Sequence, residues 1–259
     1  MSKKKSRAAR RPGPTAQEQA FLAEYDASQY PHPSVTVDVA LLAVCQRRLR
    51  AVLIQRTQHP DRGKWSLPGG FVRMDESLDA AAARVLREKV GLQGVFVEQL
   101  YTFGEIGRDP RTRVITIAYY ALVDADKVNG LVGNEHGVGL ATLEVPWKGT
   151  AGGPVGAVDD EQHELLLAFD HAKILGAAVQ RLRGKLDYAP IGFELLPRKF
   201  TLRRLQMIHE TILGHSLNKD SFRRRMVASG LIVATGQLEQ DVGHRPAELY
   251  RFQRSRRNS

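Results

Sequence analysis

The sequence predicts an α+β chain of two domains preceded by a short basic arm. Three observations predict it. Strand-like and helix-like apolar periodicities alternate through residues 35–182. The pattern breaks at Tyr188-Ala189-Pro190 and restarts as helix, turn, helix and two strands. Charge is also segregated: +6 over residues 1–12, −3 over 13–189 and +7 over 190–259, within a net +10. A uniformly solvated surface would not sort charge this way, so the basic ends point to a polyanionic partner and the slightly acidic body to separate work. The divisions expected are a disordered arm over 1–14, a body over 15–188 and a second domain over 189–259. The arm serves either solubility or nucleic-acid contact.

The 259 residues are 42% apolar and 25% charged, enough for two cores and unlike a disordered, collagenous or coiled-coil chain. One cysteine, Cys45, excludes an intrachain disulfide and a cysteine-cluster zinc site. It lies in an apolar run and is expected in the core. The longest such runs span about seven residues, against the roughly 20 of a membrane helix. No apolar stretch follows the basic N-terminus, so a reducing, cytoplasmic setting without a membrane partner is expected.

Taken in order, residues 16–27 suit a short helix. Residues 35–43 alternate and then become wholly apolar, as a buried strand does, and residues 50–56 read as its hairpin partner. Trp65 leads into Leu67-Pro68-Gly69-Gly70, a strong breaker, and is expected as a lid over the core. Residues 75–90 read as one helix, with Leu78, Ala82, Val85 and Leu86 at helical spacing and Gly91 as its stop. Residues 95–103 and 113–122 read as strands. Residues 129–160 are Gly-rich and read as a long surface loop with one short strand near 143–147. Residues 161–182 read as a helix with Leu165, Phe169, Ile174, Ala177 and Leu182 on one stripe.

In the second domain Thr201 is a good N-cap for a helix ending near Gly214, with Leu202, Leu205, Ile208 and Ile212 inward. After a turn at 215–218, Asn218 caps a helix over 219–229. Strands over 231–238 and 247–252 follow, joined by a polar loop that holds Gly243 and Arg245. That order is a winged helix-turn-helix. On the second helix Phe222, Met226 and Ser229 share the side expected to face the core, and Arg224 projects nearly opposite, flanked by Arg223. Arginine is the commonest bidentate reader of guanine. Lys219 and Ser221 at the helix start suit phosphate. Thr201, Lys219, Ser221, Arg223, Arg224 and Arg245 are therefore the expected DNA contacts, with Arg245 at the wing tip.

The segment GGFVRMDESLDAAAARVLREKVGL, residues 69–92, resembles the Nudix box. Gly70, Glu76, Arg84, Leu86, Glu88, Gly91 and Leu92 match it, whereas Val85 and Lys89 stand where the family has glutamate. Positions 85, 88 and 89 are related by i+3 and i+4 steps and are expected on one helix face. The resemblance implies three carboxylates there that gather Mg²⁺ or Mn²⁺. Here that face carries one carboxylate and one ammonium, and its formal charge moves from −3 to 0. No metal and no catalytic residue are therefore expected, and Glu88 is expected to pair with Arg84 at i, i+4. The Gly69-Gly70 backbone can approach a phosphate closely. Arg56, Arg73 and Arg108, with Arg111 and Arg113 nearby, offer the planar donors that a diphosphate needs, or are solvated surface groups. Phe103 or Tyr101 serves either to stack a base or to fill the core. Residues 101–122 resemble the ADP-ribose branch of the Nudix superfamily, which narrows the nucleotide.

The two halves together resemble one family, the Nudix-related transcriptional regulators of NAD metabolism called NrtR. Leu167-Ala168-Phe169-Asp170-His171, Phe200-Thr201-Leu202, Phe222-Arg223-Arg224-Arg225 and residues 245–252 carry the resemblance beside the box. It implies a Nudix αβα sandwich followed by a winged helix-turn-helix. It also implies a homodimer that represses genes of NAD synthesis or salvage from a palindromic double-stranded operator and is released by ADP-ribose. No cofactor is expected beyond that effector. The alternative is an active ADP-ribose pyrophosphatase with an accessory C-terminal domain.

Overall fold

The computed structural model describes residues 13–131, 137–186, 193, 195–240, 243 and 245–253. The expected arm falls almost wholly outside them, as does the break at 188–190. The N-terminal unit, residues 13–33, carries helix α1 (Ala16–Glu24), started by a reciprocal capping box between Thr15 and Glu18. It is shorter than expected because Asp26 caps a separate 3₁₀ turn, accepting from the Ser28 N–H at 3.0 Å.

The remaining chain is built on a mixed sheet. Strand β1 (Ser34–Cys45) is parallel to β6 (Val114–Leu122) and antiparallel to β2 (Arg48–Gln55). Strands β3 (Trp65–Ser66) and β4 (Gly69–Phe71) pair with β2 and β1. Strand β5 (Glu98–Phe103) borders β6. β1 is apolar on both faces because both are covered. Val37, Val39, Leu41 and Ala43 face one core, and Ala40, Leu42 and Val44 the other, as the period of two requires. Gln46 and Arg47, both at positive φ (49° and 61°), close the two-residue β1–β2 hairpin.

Helix α2 (Leu78–Val85) covers the first face, with Ser77 as N-cap. The single helix expected over 75–90 is instead α2 followed by a π-helical turn, Leu86–Val90, which Gly91 ends in the left-handed region. Helix α3 (Ala125–Asn129) follows β6. The loop expected over 129–160 is corrected. Strands β7 (Val138–Glu144) and β8 (Gly156–Val158) extend the sheet beyond β2, so this Gly-rich stretch holds two strands where one, near 143–147, was expected. Gly139 belongs in β7 because the Trp65 ring lies over it, and an added Cβ would fall 2.6 Å from that ring.

Helix α4 (His171–Lys185) covers the second face, completing the αβα sandwich. The helix expected from 161 begins ten residues late. Residues 164–168 are extended, and their backbone bonds go to sheet edges: Leu165 donates to Ala157, Ala168 donates to Trp65, and Trp65 donates to Leu166.

The C-terminal module contains β9 (Phe200–Thr201), α5 (Leu202–Leu213), α6 (Lys219–Ala228), β10 (Ile232–Leu238) and β11 (Glu248–Phe252), with sheet order β10-β11-β9. β9, unforeseen, is only two residues long and merges into the α5 cap. Leu205, Ile208, Ile212, Phe222 and Met226 form its core, whereas Ser229 is exposed and donates its hydroxyl to the Met226 carbonyl. One apolar cluster runs from the α4 side of the sandwich through α5 and α6 to β11. The two modules are therefore packed together and not merely tethered. Among the described residues no helix is long and apolar enough to cross a membrane.

Candidate functional site

A cavity of about 470 Å³ opens where β1, the β3–β4 turn and the start of α4 converge. Its floor is a buried polar network. Asp38 stands at the centre of the apolar β1 run and accepts from the Thr116 hydroxyl at 2.7 Å. Arg108 lies 3.7 Å from Asp38 and donates two bonds to Asp170, at 2.9 and 2.6 Å. His171 accepts from the Leu67 N–H through Nδ1 at 2.9 Å, so its neutral tautomer carries the proton on Nε2, 3.7 Å from Asp38. Burial pushes the His171 pKa down, which keeps the ring neutral. The Thr36 hydroxyl, on a cavity-lining residue that is 9% exposed, has no hydrogen-bond partner among the described residues.

The Gly69-Gly70 turn forms one wall. A Cβ on Gly69 would fall 2.1 Å from an Asp38 oxygen and 3.0 Å from the Val37 carbonyl, so glycine is required there. Arg56 donates to the Pro60 carbonyl at 2.8 Å and lies 4.7 Å over the Phe169 ring. Arg111 is held bidentately by Asp109 and lies 5.6 Å over Phe71.

Of the expected effector contacts, the structure brings Arg56, Gly69, Gly70 and Arg108 to this cavity, with Arg111. Arg73 and Phe103 do not line it. Arg73 points to Glu88 at 3.7 Å, because the 73–77 loop is folded back on Glu76. Phe103 packs edge-on against Tyr101 at 5.5 Å and against the α4-side core. Arg113 donates to the Glu105 carbonyl. Asp38, Asp109, Phe71, Phe169 and His171 were missed. A lone carboxylate inside the apolar run 35–45 was the readable signal for Asp38.

The box residues separate. Val85 is 1% exposed and packs under Gly70. Glu88 is shared by Arg84 (3.3 Å), Arg87 (3.5 Å) and Arg73 (3.7 Å). Lys89 lines the cavity. Leu86–Val90 form a π-helical turn, and of the three positions only Lys89 lines the cavity. An apolar group, a carboxylate already paired with arginines and an ammonium do not fit a hard dication. Arg84 also clamps Glu76 with two bonds at 2.8 and 2.6 Å, which pulls the Glu76 pKa down to about 2. Elsewhere half-buried Asp159 and exposed Glu161 and His163 form a cluster, but Asp159 is already accepting from the backbone of Glu161 and His163.

The second candidate site is the outer face of α6. Asn218 caps it, accepting from the Ser221 N–H at 3.0 Å, and Phe222 and Met226 anchor it. Glu210 on α5 fixes the intervening turn by accepting from the Leu217 N–H at 2.9 Å. Lys219, Ser221, Arg223 and Arg224 are exposed together, as expected. Thr201 is buried and caps α5, its hydroxyl accepting from the Arg204 N–H at 3.2 Å, and it lines the groove beside α6 together with Lys219 and Arg223. Arg245 is exposed between β10 and β11, whose loop is partly outside the described residues. A groove of about 690 Å³ beside α6 gathers Arg203, Arg204, Lys219 and Arg223 with Arg47 from the β1–β2 turn.

Residues 192–252 match the NrtR DNA-binding winged helix domain, and residues 35–148 match the NUDIX domain. The chain is 41% identical over 237 residues to the ADPR responsive transcriptional repressor NtrR of Acinetobacter baylyi, covering 91% of this chain and 88% of that one. It is 30% identical over 146 residues to the ADP-ribose pyrophosphatase of Methanocaldococcus jannaschii, covering 56% of this chain and 73% of that one. The crystal structure of Shewanella oneidensis NrtR complexed with a 27mer DNA superposes with a TM-score of 0.70 at 34% identity, covering 85% of this chain and 93% of that one.

Proposed function

The chain belongs to the NrtR family, and on that premise we propose that it is a DNA-binding repressor of NAD synthesis or salvage genes that ADP-ribose, or a related nucleotide, releases from its operator. The cavity takes the effector, and α6 enters the major groove with Arg224 reading base edges and Lys219 and Ser221 holding phosphate. As a two-fold dimer the protein sets its two α6 helices about one DNA turn, roughly 34–36 Å, apart on a palindromic site.

The observation that carries this reading is the placement of α4. Asp170 and His171, at its start, belong to the cavity floor. Arg183, in its last turn, donates to the Ile212 carbonyl of α5 at 2.7 Å. One helix of about 22 Å therefore connects the cavity to α5 of the C-terminal module. A diphosphate that reaches Arg108 competes with Asp170 for the guanidinium and so loosens the residue from which α4 starts. The displaced helix carries Arg183 and α5 with it, and the spacing of the reading heads changes.

The body binds without hydrolysis, because the 85, 88 and 89 positions supply no dication site that would activate water. The alternative, an ADP-ribose pyrophosphatase, is favoured by the 30% identity to such an enzyme alone. Incubation with ADP-ribose and Mg²⁺ separates the two. The proposal expects binding without AMP, and AMP formed at about 1 s⁻¹ or faster would establish the enzyme. DNA selection from a random pool tests the other half. A palindrome should emerge, and failure to enrich any sequence would remove the repressor reading.

A further inference from the structure

We propose that Lys89 supplies the fixed positive charge that holds a diphosphate in the cavity, so that the ligand binds without a divalent cation. This rests on reading the cavity as the effector site. Four side-chain cations line it: Arg56, Lys89, Arg108 and Arg111. Arg108 is neutralised by Asp170 and Arg111 by Asp109, each in a two-bond pair. Arg56 likewise has no carboxylate within ion-pair distance among the described residues, but it donates through Nε to the Pro60 carbonyl and through one Nη to the Gln58 carbonyl and stacks on Phe169. Lys89 differs from all three. Among the described residues its ammonium has neither a carboxylate within ion-pair distance nor a hydrogen-bond acceptor.

A cation without a counterion, in a concave site walled by a Gly-Gly turn, makes the local potential positive and draws anions from solution. The Thr36 hydroxyl, nine-tenths buried and without a partner, points independently to a polar ligand there. The π-turn delivers Lys89 to the cavity while Glu88 is turned onto Arg73, Arg84 and Arg87. The charge at the cavity rim is thereby opposite to what a dication site needs. An ammonium is a compact point charge with three rotatable donors, so it can serve either phosphate of a diphosphate ester without strict geometry. The ligand class is a nucleotide diphosphate taken up as the free anion, not as its magnesium complex.

The test is an equilibrium titration of the full chain with ADP-ribose, in EDTA and in Mg²⁺, for the wild type and for Lys89→Met, Lys89→Arg and Lys89→Glu. Inorganic pyrophosphate in EDTA is the second probe. Lys89 is exposed, and circular dichroism of each variant checks that the fold is retained. Wild type should bind equally with and without Mg²⁺. Lys89→Met should weaken both probes about tenfold or more, and Lys89→Arg should hold most of the affinity. Lys89→Glu should be the weakest in EDTA and regain affinity for ADP-ribose in Mg²⁺. Wild-type binding that requires Mg²⁺, or Lys89→Met binding as tightly as wild type, overturns the proposal and leaves the effector reading standing. If ADP-ribose fails to bind while pyrophosphate follows the expected order, the effector reading falls and the Lys89 site stands. If neither probe binds wild type in EDTA, both fall.

Discussion

Arg183→Ala should separate the two halves of the switch. Arg183 is 7% exposed, has no carboxylate partner within ion-pair distance among the described residues, and burial pushes its pKa down. What holds it is geometry. It donates to the carbonyls of Ile212 (2.7 Å), Trp147 (3.1 Å) and Gly149 (3.0 Å), and its guanidinium lies 4.7 Å over the Trp147 ring. Three hydrogen bonds from a cation, at about 1.5 kcal/mol each, suggest a loss of about 4–5 kcal/mol. Relief of an unpaired buried charge returns part of that, so a net destabilisation of about 3 kcal/mol is expected. For a chain of this size that lowers Tm by about 6–12 °C. The assay is thermal denaturation, with anisotropy of a labelled operator duplex, chosen by selection with the wild-type protein, in the presence and absence of ADP-ribose. Affinity for ADP-ribose should stay near wild type, because Arg183 does not line the cavity. The response of DNA binding to ADP-ribose should collapse. A Tm fall under about 2 °C, or an undiminished response, would show that Arg183 does not couple α4 to α5.

Gly69→Ala places a methyl carbon against Asp38 and the Val37 carbonyl, so calorimetry should find ADP-ribose binding lost or weakened together with a lowered Tm. Glu76→Gln breaks the Arg84 clamp, and its sign with pH follows from the depressed pKa. The stability that Glu76 contributes is present above its ordinary 4.5 and is lost as pH falls through about 2. Melting curves of wild type and Glu76→Gln should therefore differ at neutral pH and converge between those values. Arg224→Ala should cost about 1–3 kcal/mol on the selected duplex and blur one base pair, whereas Lys219→Ala should weaken all sequences and flatten the salt slope by about one unit. Anisotropy over a salt series distinguishes the two.

Much of this architecture is legible in the sequence. The apolar run of β1, the Gly-Gly turn, the Thr201 and Asn218 caps and the helix-turn-helix order follow from local physics that the rest of the fold does not override. The misses have physical causes. Leu165 and Phe169 fit a helical stripe with the true helix. Yet the Phe169 N–H donates to Asp61 at 2.9 Å, its φ is 51°, and the residues before it are pulled straight by the Trp65 and Ala157 edges. Those partners lie far away in sequence. β7 was hidden because Gly139, which reads as a breaker, is where the Trp65 ring needs room. The candidate site was half legible. Arg56, Gly69, Gly70 and Arg108 sit beside the breaker or at loop ends, but Phe169 and His171 arrive only when α4 starts at the cavity. The π-turn leaves no mark in a periodicity argument, although the box spacing already set Lys89 toward the Gly-Gly turn whose cavity it lines.

Effector and operator compete through one protein, and thermodynamic linkage between the two ligands shows it without an intermediate assay. ADP-ribose is titrated into the protein alone and into the protein saturated with the selected duplex. A useful switch needs a coupling of about 1–3 kcal/mol, so operator should raise the Kd for ADP-ribose by about 5–150-fold, and ADP-ribose should raise the Kd for operator by the same factor. Equal dissociation constants with and without the duplex would contradict the account, even with the cavity fully occupied.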